Sequence, residues 1–169
     1  MASRMFRPIV RGLSTSTPRS SFLKGTELYR KDGSSVKADE HLKNKVIALY
    51  FSAGWCRSCR MFTPKLKKFY EEIAGKNKEN LEVVWVSRDK TAEDQVQYFQ
   101  EHQGDWVYIK FGSPLIKELL EKYDVKTIPA LRVVDKEGKV LVENARNEVE
   151  ENSSGDKAVK LFKEWKGKK

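Results

Sequence analysis

The sequence predicts an α/β fold: a central mixed β-sheet flanked by helices, entered through an N-terminal β-hairpin. Three observations predict it. Val46-Ile47-Ala48-Leu49-Tyr50-Phe51 is an unbroken apolar run, and Leu81-Glu82-Val83-Val84-Trp85-Val86-Ser87 is nearly one. Both have the length and composition of strands buried on both faces. The segments around them carry apolar residues every three or four positions, the period of a helix packed on one side. Two Gly-containing turns each separate short strand-like pieces, which reads as two hairpins. Strand, helix, strand, helix, then a hairpin and a helix implies a mixed sheet covered on both faces.

Taken in order, Glu27-Leu28-Tyr29-Arg30 and Ser35-Val36-Lys37 flank the Asp-Gly turn Lys31-Asp32-Gly33-Ser34. The strand from Val46 ends in the small residues Ser52-Ala53-Gly54. A helix follows, its stripe formed by Met61, Phe62, Leu66, Phe69, Tyr70 and Ile73. After the second buried strand, Thr91 with Asp94 three positions on caps a helix over about 92–102. Ser113-Pro114 opens another, with Pro114 suited to the first helical position and Leu115, Ile116, Leu119, Leu120 and Tyr123 as its apolar side. Leu131-Arg132-Val133-Val134 and Val140-Leu141-Val142 bracket Asp135-Lys136-Glu137-Gly138 as the second hairpin. Glu148 to Gly155 reads as a polar linker into a last helix faced by Ala158, Val159, Phe162 and Trp165. No internal repeat is present, and the length fits one domain, 25–169, behind a leading segment, 1–24.

That leading segment differs in kind. It holds Arg4, Arg7, Arg11, Arg19 and Lys24, no acid, and many hydroxyls, with Met5, Phe6, Ile9, Val10 and Leu13 able to form one apolar side of a short helix. This is the composition of a mitochondrial transit peptide; a basic tail without an address, on a cytoplasmic or nuclear protein, is the alternative. No apolar stretch is long enough to span a membrane. The chain's net charge is +9, but without this segment 28 basic residues face 24 acidic ones. The domain surface is therefore only mildly basic. Lys163, Lys166, Lys168 and Lys169 give a basic end that reads as a solvated tail; nothing shows basic and aromatic residues arranged for nucleic acid, which is not expected as a partner.

The chemistry points to one place. Cys56 and Cys59 are the chain's two cysteines, in Trp55-Cys56-Arg57-Ser58-Cys59-Arg60, where a buried strand hands over to a helix. The free N–H groups and partial positive charge of a helix N-terminus stabilise a thiolate at Cys56, and Arg57 and Arg60 are expected to push the same way. A redox dithiol, half of a zinc site, and two idle cysteines all remain open from spacing. Zinc would need further ligands, and His41 and His102 are isolated. A permanent disulfide would close too short a loop to stabilise much.

These residues resemble a known family. Trp-Cys-x-x-Cys after a strand, Pro64 five residues past the second cysteine, and Ile128-Pro129 before a later strand are marks of the thioredoxin superfamily. Leu49-Tyr50-Phe51-Ser52-Ala53-Gly54-Trp55-Cys56, Phe62-Thr63-Pro64, Val84-Trp85-Val86-Ser87-Arg88-Asp89, Trp106 and Tyr123 to Pro129 are similar to its tryparedoxin and nucleoredoxin branch. The resemblance implies the thioredoxin fold and a protein-disulfide reductase without a cofactor or metal. It implies that Cys56 is the exposed attacking thiolate and Cys59 the deeper resolving thiol. Trp55, Arg57, Ser58, Ile128 and Pro129 would shape the substrate surface, with Pro129 cis and the Ile128 backbone turned toward an extended substrate. Disulfide-containing proteins and a thiol electron donor are the expected partners, and the chain is expected to be a monomer. A binding or signalling module with little turnover is the alternative.

Two departures matter. Thioredoxins carry an acid six residues before the first cysteine, where Tyr50 stands here, so the proton route to Cys59 has to differ. Arg57-Ser58 replaces thioredoxin's Gly-Pro and tryparedoxin's Pro-Pro. Arg57 is expected to stabilise the thiolate, and with it the reduced form, which implies a potential above thioredoxin's, about −270 mV. Some thioredoxin-fold proteins without that proline hold an iron–sulfur cluster between two chains, a minor alternative.

Overall fold

The computed structural model describes residues 22–168. The transit-peptide reading falls on residues outside the described ones, apart from its last three positions. Of those, Leu23 is buried and Phe22 packs on the domain, its N–H bonded to the Lys136 carbonyl at 3.2 Å.

The elements in chain order are β1 (Glu27–Tyr29), β2 (Ser35–Lys37), α1 (Ala38–His41), β3 (Val46–Ser52) and α2 (Arg57–Tyr70). A π-helical segment, Glu71–Lys76, continues α2. Then come β4 (Leu81–Ser87), α3 (Ala92–His102), β5 (Val107–Tyr108), α4 (Pro114–Lys122), β6 (Ala130–Val134), β7 (Val140–Val142), α5 (Ala145–Glu151) and α6 (Gly155–Lys166). One seven-stranded sheet runs β2-β1-β5-β4-β3-β6-β7. β3 lies at its heart, parallel to β4 and antiparallel to β6. This is the predicted mixed sheet with its N-terminal hairpin, and it is a thioredoxin fold.

The apolar runs are explained by burial on two faces. Ala48 and Tyr50 of β3 join Val83, Trp85, Leu131 and Val133 in the core under α2, α3, α5 and α6. Ile47, Leu49 and Phe51 point the other way, with Val84, Val86 and Ala130, toward α1 and α4. The period of two in a strand puts alternate residues into opposite cores. The caps follow the sequence: Thr91 accepts from the Asp94 N–H at 3.0 Å, and Ser113 from the Leu115 N–H at 3.2 Å. At Gly104, a Cβ would lie 2.4 Å from the ring of buried Trp106, so this close approach requires glycine.

Three expectations are corrected. The stretch read as a polar linker is largely helix: Glu148–Glu151 belong to α5. Its apolar positions, Ala145 and Val149, are four apart and buried in the core that holds Phe62 and Leu66 of α2. The surrounding Asn and Glu residues hide this in the sequence. β5 was not expected either, because two residues carry no readable period; its pairing with β4 and β1 defines it. Met61, counted in the apolar stripe of α2, is 66% exposed.

No helix among the described residues is long and apolar enough to cross a membrane.

Candidate active site

The two cysteines sit at the C-terminal end of β3, where the chain turns into α2. Cys56 is the N-cap of α2. Its backbone is extended, and its sulfur accepts the Cys59 N–H at 3.2 Å. A helix start leaves N–H groups without partners, and here a sulfur takes the place that a Ser or Asp oxygen usually fills. Both cysteines are free thiols.

Their environments differ. Cys59 has no exposed surface, whereas Cys56 keeps 8%. The expectation of an openly exposed Cys56 is corrected in degree, since its thiol lies under the Ile128 carbonyl, sulfur to oxygen 3.8 Å. Partial burial raises the Cys56 pKa, but hydrogen bonds from Cys59 and Ser58 outweigh it and leave it below the ordinary value. The Ser58 hydroxyl lies 3.7 Å from the sulfur. Arginine charge was expected to do this work. The largest lowering contributions come instead from hydrogen bonds. Arg57 is exposed. Arg60 is drawn away, its Nε bonded to the Gly54 carbonyl at 2.5 Å and its guanidinium 5.7 Å from the Tyr98 ring centroid. Cys59 is pushed the opposite way: burial raises its pKa strongly, and its hydrogen bond to Cys56 raises it further. One thiol is thus poised to ionise and its partner to stay protonated, the division of labour that dithiol exchange needs.

The walls come from four elements. The Ile128-Pro129 bond is cis, and Ile128 packs on the small cluster of Ala53, Cys56 and Cys59. Trp55 is 59% exposed yet fixed from the β4 side: its indole N–H donates to the Arg88 carbonyl at 3.2 Å. Lys90 places its ammonium 5.7 Å from the same ring. Asp89 anchors the loop before the cysteines, accepting the Gly54 N–H at 2.9 Å and the Ser87 hydroxyl at 2.7 Å. A polar cleft of about 260 Å³ beside Trp55 is lined by Asp89, Asp94, Glu101, Tyr98 and Arg60, among others.

Beneath Cys59 lies a hydroxyl cluster. Thr63 Oγ1 is 2.6 Å from the hydroxyls of both Tyr50 and Tyr98, and 2.8 Å from the Cys59 carbonyl. Thr63 has one proton and two lone pairs. The carbonyl can only accept, so Thr63 donates to it and both phenols donate to Thr63. Tyr50, which occupies the acid's position, is therefore committed to Thr63. Burial raises the Tyr98 pKa to about 12 and that of Tyr50 well above the ordinary value, so both stay neutral.

The structure thus gathers Trp55, Cys56, Ser58, Cys59, Ile128 and Pro129 around one point and leaves Arg57 facing solvent. Sequence reasoning missed Asp89, Thr63 and Tyr98 as site-building residues. Asp89 and Thr63 lay within the motifs of the resemblance, whereas Tyr98 had no local signal. Among the described residues, no group of three or more His, Cys, Asp and Glu side chains could hold a metal ion.

A family model described as thioredoxin-like matches residues 44–140, more than half of the chain. The chain is 38% identical over 130 residues to probable nucleoredoxin 1 of Arabidopsis thaliana, covering 76% of this chain and 21% of that protein. It is 32% identical over 123 residues to human nucleoredoxin, covering 72% and 27%. Against human nucleoredoxin-like protein 1 the identity is 28% over 119 residues, covering 68% and 56%. It therefore spans between about a fifth and about half of these relatives. Among solved structures, a thioredoxin from Wuchereria bancrofti superposes with a TM-score of 0.73 at 38% identity, covering 86% of this chain and 97% of that one. Tryparedoxin I of Crithidia fasciculata gives 0.69 at 32%, covering 77% and 88%. With the sulfur-capped helix, the buried second thiol and the cis proline already in place, these matches identify the chain as a member of the thioredoxin-like family, in its tryparedoxin and nucleoredoxin branch.

Proposed function

We propose that this chain is a thiol–disulfide oxidoreductase that reduces or exchanges protein disulfides through Cys56 and Cys59. One observation carries the reading: the Cys56 sulfur is the acceptor cap of α2, with a protonated, fully buried Cys59 directly behind it.

The Cys56 thiolate attacks one sulfur of a substrate disulfide. That S–S bond breaks, its other sulfur leaves as a thiolate and takes up a proton, and a mixed disulfide on Cys56 forms. Cys59 then loses its proton and attacks the Cys56 sulfur. The second substrate sulfur departs as a thiol, and the Cys56–Cys59 disulfide remains. An external thiol donor has to return the two electrons before the next cycle. The Ile128 carbonyl beside Cys56 and the anchored Trp55 supply a backbone acceptor and an aromatic surface for an extended segment. Residues 1–24 are read as a mitochondrial address on composition alone.

Replacing Cys59 by Ser tests the reading. This variant should hold mixed disulfides on Cys56, released by dithiothreitol, and Cys56→Ser should hold none. A Cys59→Ser chain that captures no disulfide partner, with a wild type that shows no dithiothreitol-driven turnover, would favour a binding module instead.

A further inference from the structure

Where β3 ends, the chain has to leave the sheet and start α2, and the parallel ladder with β4 cannot follow it. Ser52 and Ser87 are the last paired residues. One more backbone bond holds, from the Arg88 N–H to the Ser52 carbonyl at 3.0 Å. Beyond it a side chain takes over. The Asp89 carboxylate accepts the Gly54 N–H at 2.9 Å. Its direction is set from the end of β4: its other oxygen accepts the Ser87 hydroxyl at 2.7 Å, and its own N–H donates to that hydroxyl at 2.8 Å. Asp89 and Ser87 are both buried. A carboxylate locked in this way to a buried strand is a rigid support.

The residues on either side of Asp89 hold Trp55. The Arg88 carbonyl accepts the indole N–H at 3.2 Å, and the Lys90 ammonium lies 5.7 Å from the ring centroid. Three consecutive residues thus grip two: Asp89 takes the backbone of Gly54, and Arg88 and Lys90 take the ring of Trp55. That ring is still largely exposed. We propose that Asp89 is a positioning residue for substrate recognition. By pinning Gly54 it keeps Arg88 and Lys90 aligned with Trp55, so that the indole meets an incoming protein disulfide already ordered. The inference rests on the dithiol exchange proposed above.

The physical argument is one of preorganisation. A side chain that is immobilised only when the substrate arrives lowers affinity by about two- to tenfold, and one held beforehand spares that loss. Asp89 acts on recognition and leaves the sulfur chemistry alone, because Cys56 is held by other bonds. Its N–H donates to the Ala53 carbonyl at 3.2 Å, and its sulfur accepts the Cys59 N–H at 3.2 Å. The Gly54 carbonyl is held separately, by Arg60.

The test compares a protein disulfide with a small aliphatic one on the full chain. Insulin, with dithiothreitol as donor, reports recognition; oxidation of the reduced chain by bis(2-hydroxyethyl) disulfide reports attack by Cys56. Asp89→Ala should raise KM for insulin by about two- to tenfold with kcat nearly unchanged, and leave the rate with the small disulfide nearly unchanged. Trp85, Trp106 and Trp165 are buried, so the emission that acrylamide quenches belongs to Trp55, and its anisotropy should fall. Asp89→Asn keeps an acceptor for the Gly54 N–H and should restore both readouts. In a Trp55→Ala chain, Asp89→Ala should raise KM no further. If Asp89→Ala does not fold, Ser87→Ala, which unfixes the carboxylate without removing it, should shift KM and anisotropy in the same direction. Unmoved KM and anisotropy would overturn the proposal. Equal slowing with both disulfides would also overturn it, since Asp89 would then act on the sulfurs, as would an Asp89→Asn chain as impaired as Asp89→Ala. If the wild type reduces neither disulfide, the exchange reading itself fails, which is a different result.

Discussion

Replacing Thr63 by Val keeps the shape of the side chain and removes the hydroxyl on which two buried tyrosines converge. Tyr50 has no exposed surface, Thr63 1% and Tyr98 3%. The substitution removes the bond to the Cys59 carbonyl and the acceptor for both phenols. One phenol can turn toward the other, but the second is then a buried donor without an acceptor, at about 1–3 kcal/mol. The lost bonds add about 1 kcal/mol, so the expected loss is about 2–4 kcal/mol. Tyr98→Phe removes a single donor and leaves Thr63 served by Tyr50, at about 0.5–1.5 kcal/mol. The triple variant Thr63→Val, Tyr50→Phe, Tyr98→Phe strands nothing and should be more stable than Thr63→Val alone. Urea unfolding of the reduced chains, read as shifts in midpoint at constant slope, measures all three. A triple variant no more stable than Thr63→Val would refute the proton assignment, as would a Thr63→Val loss smaller than that of Tyr98→Phe.

Ser58→Ala removes a hydrogen bond to the Cys56 sulfur and should raise the pH at which Cys56 is alkylated, whereas Arg57→Ala should leave it nearly unchanged; iodoacetamide rates against pH decide between them. In wild type that midpoint should lie below the ordinary thiol value, with Cys59 unreactive across the same range. The sign for stability follows. The depressed Cys56 pKa stabilises the reduced fold above the unfolded thiol's pKa, and this is lost as pH falls through the folded value. The raised Cys59 pKa contributes fully below the unfolded value and is lost as pH rises toward the folded one. An equilibrium titration against glutathione should place the dithiol above thioredoxin's potential of about −270 mV. Gly104→Ala should cost about 1–3 kcal/mol by driving a methyl into Trp106, with thiol reactivity retained; an unchanged urea midpoint would contradict it.

The chain's linear pattern was enough for every strand but β5, most helices, both hairpins and the place of the dithiol. Those features are local: an apolar run buried on both faces, a period of three to four, an Asp-Gly turn and a cysteine pair at a strand-to-helix junction are all written within a few residues. Folding in three dimensions settled what acts on the sulfurs. Arg57 and Arg60 flank the cysteines in sequence, yet their side chains are long, and a long side chain goes where its partners are. Arg60 was drawn to the Gly54 carbonyl, and the work at Cys56 fell to the short hydroxyl of Ser58 and a backbone N–H. Tyr98, 39 residues beyond Cys59, reaches the buried thiol's surroundings through Thr63 only because α3 packs against α2. Burial and distance set a thiol's pKa, and neither exists until the helices have closed over it.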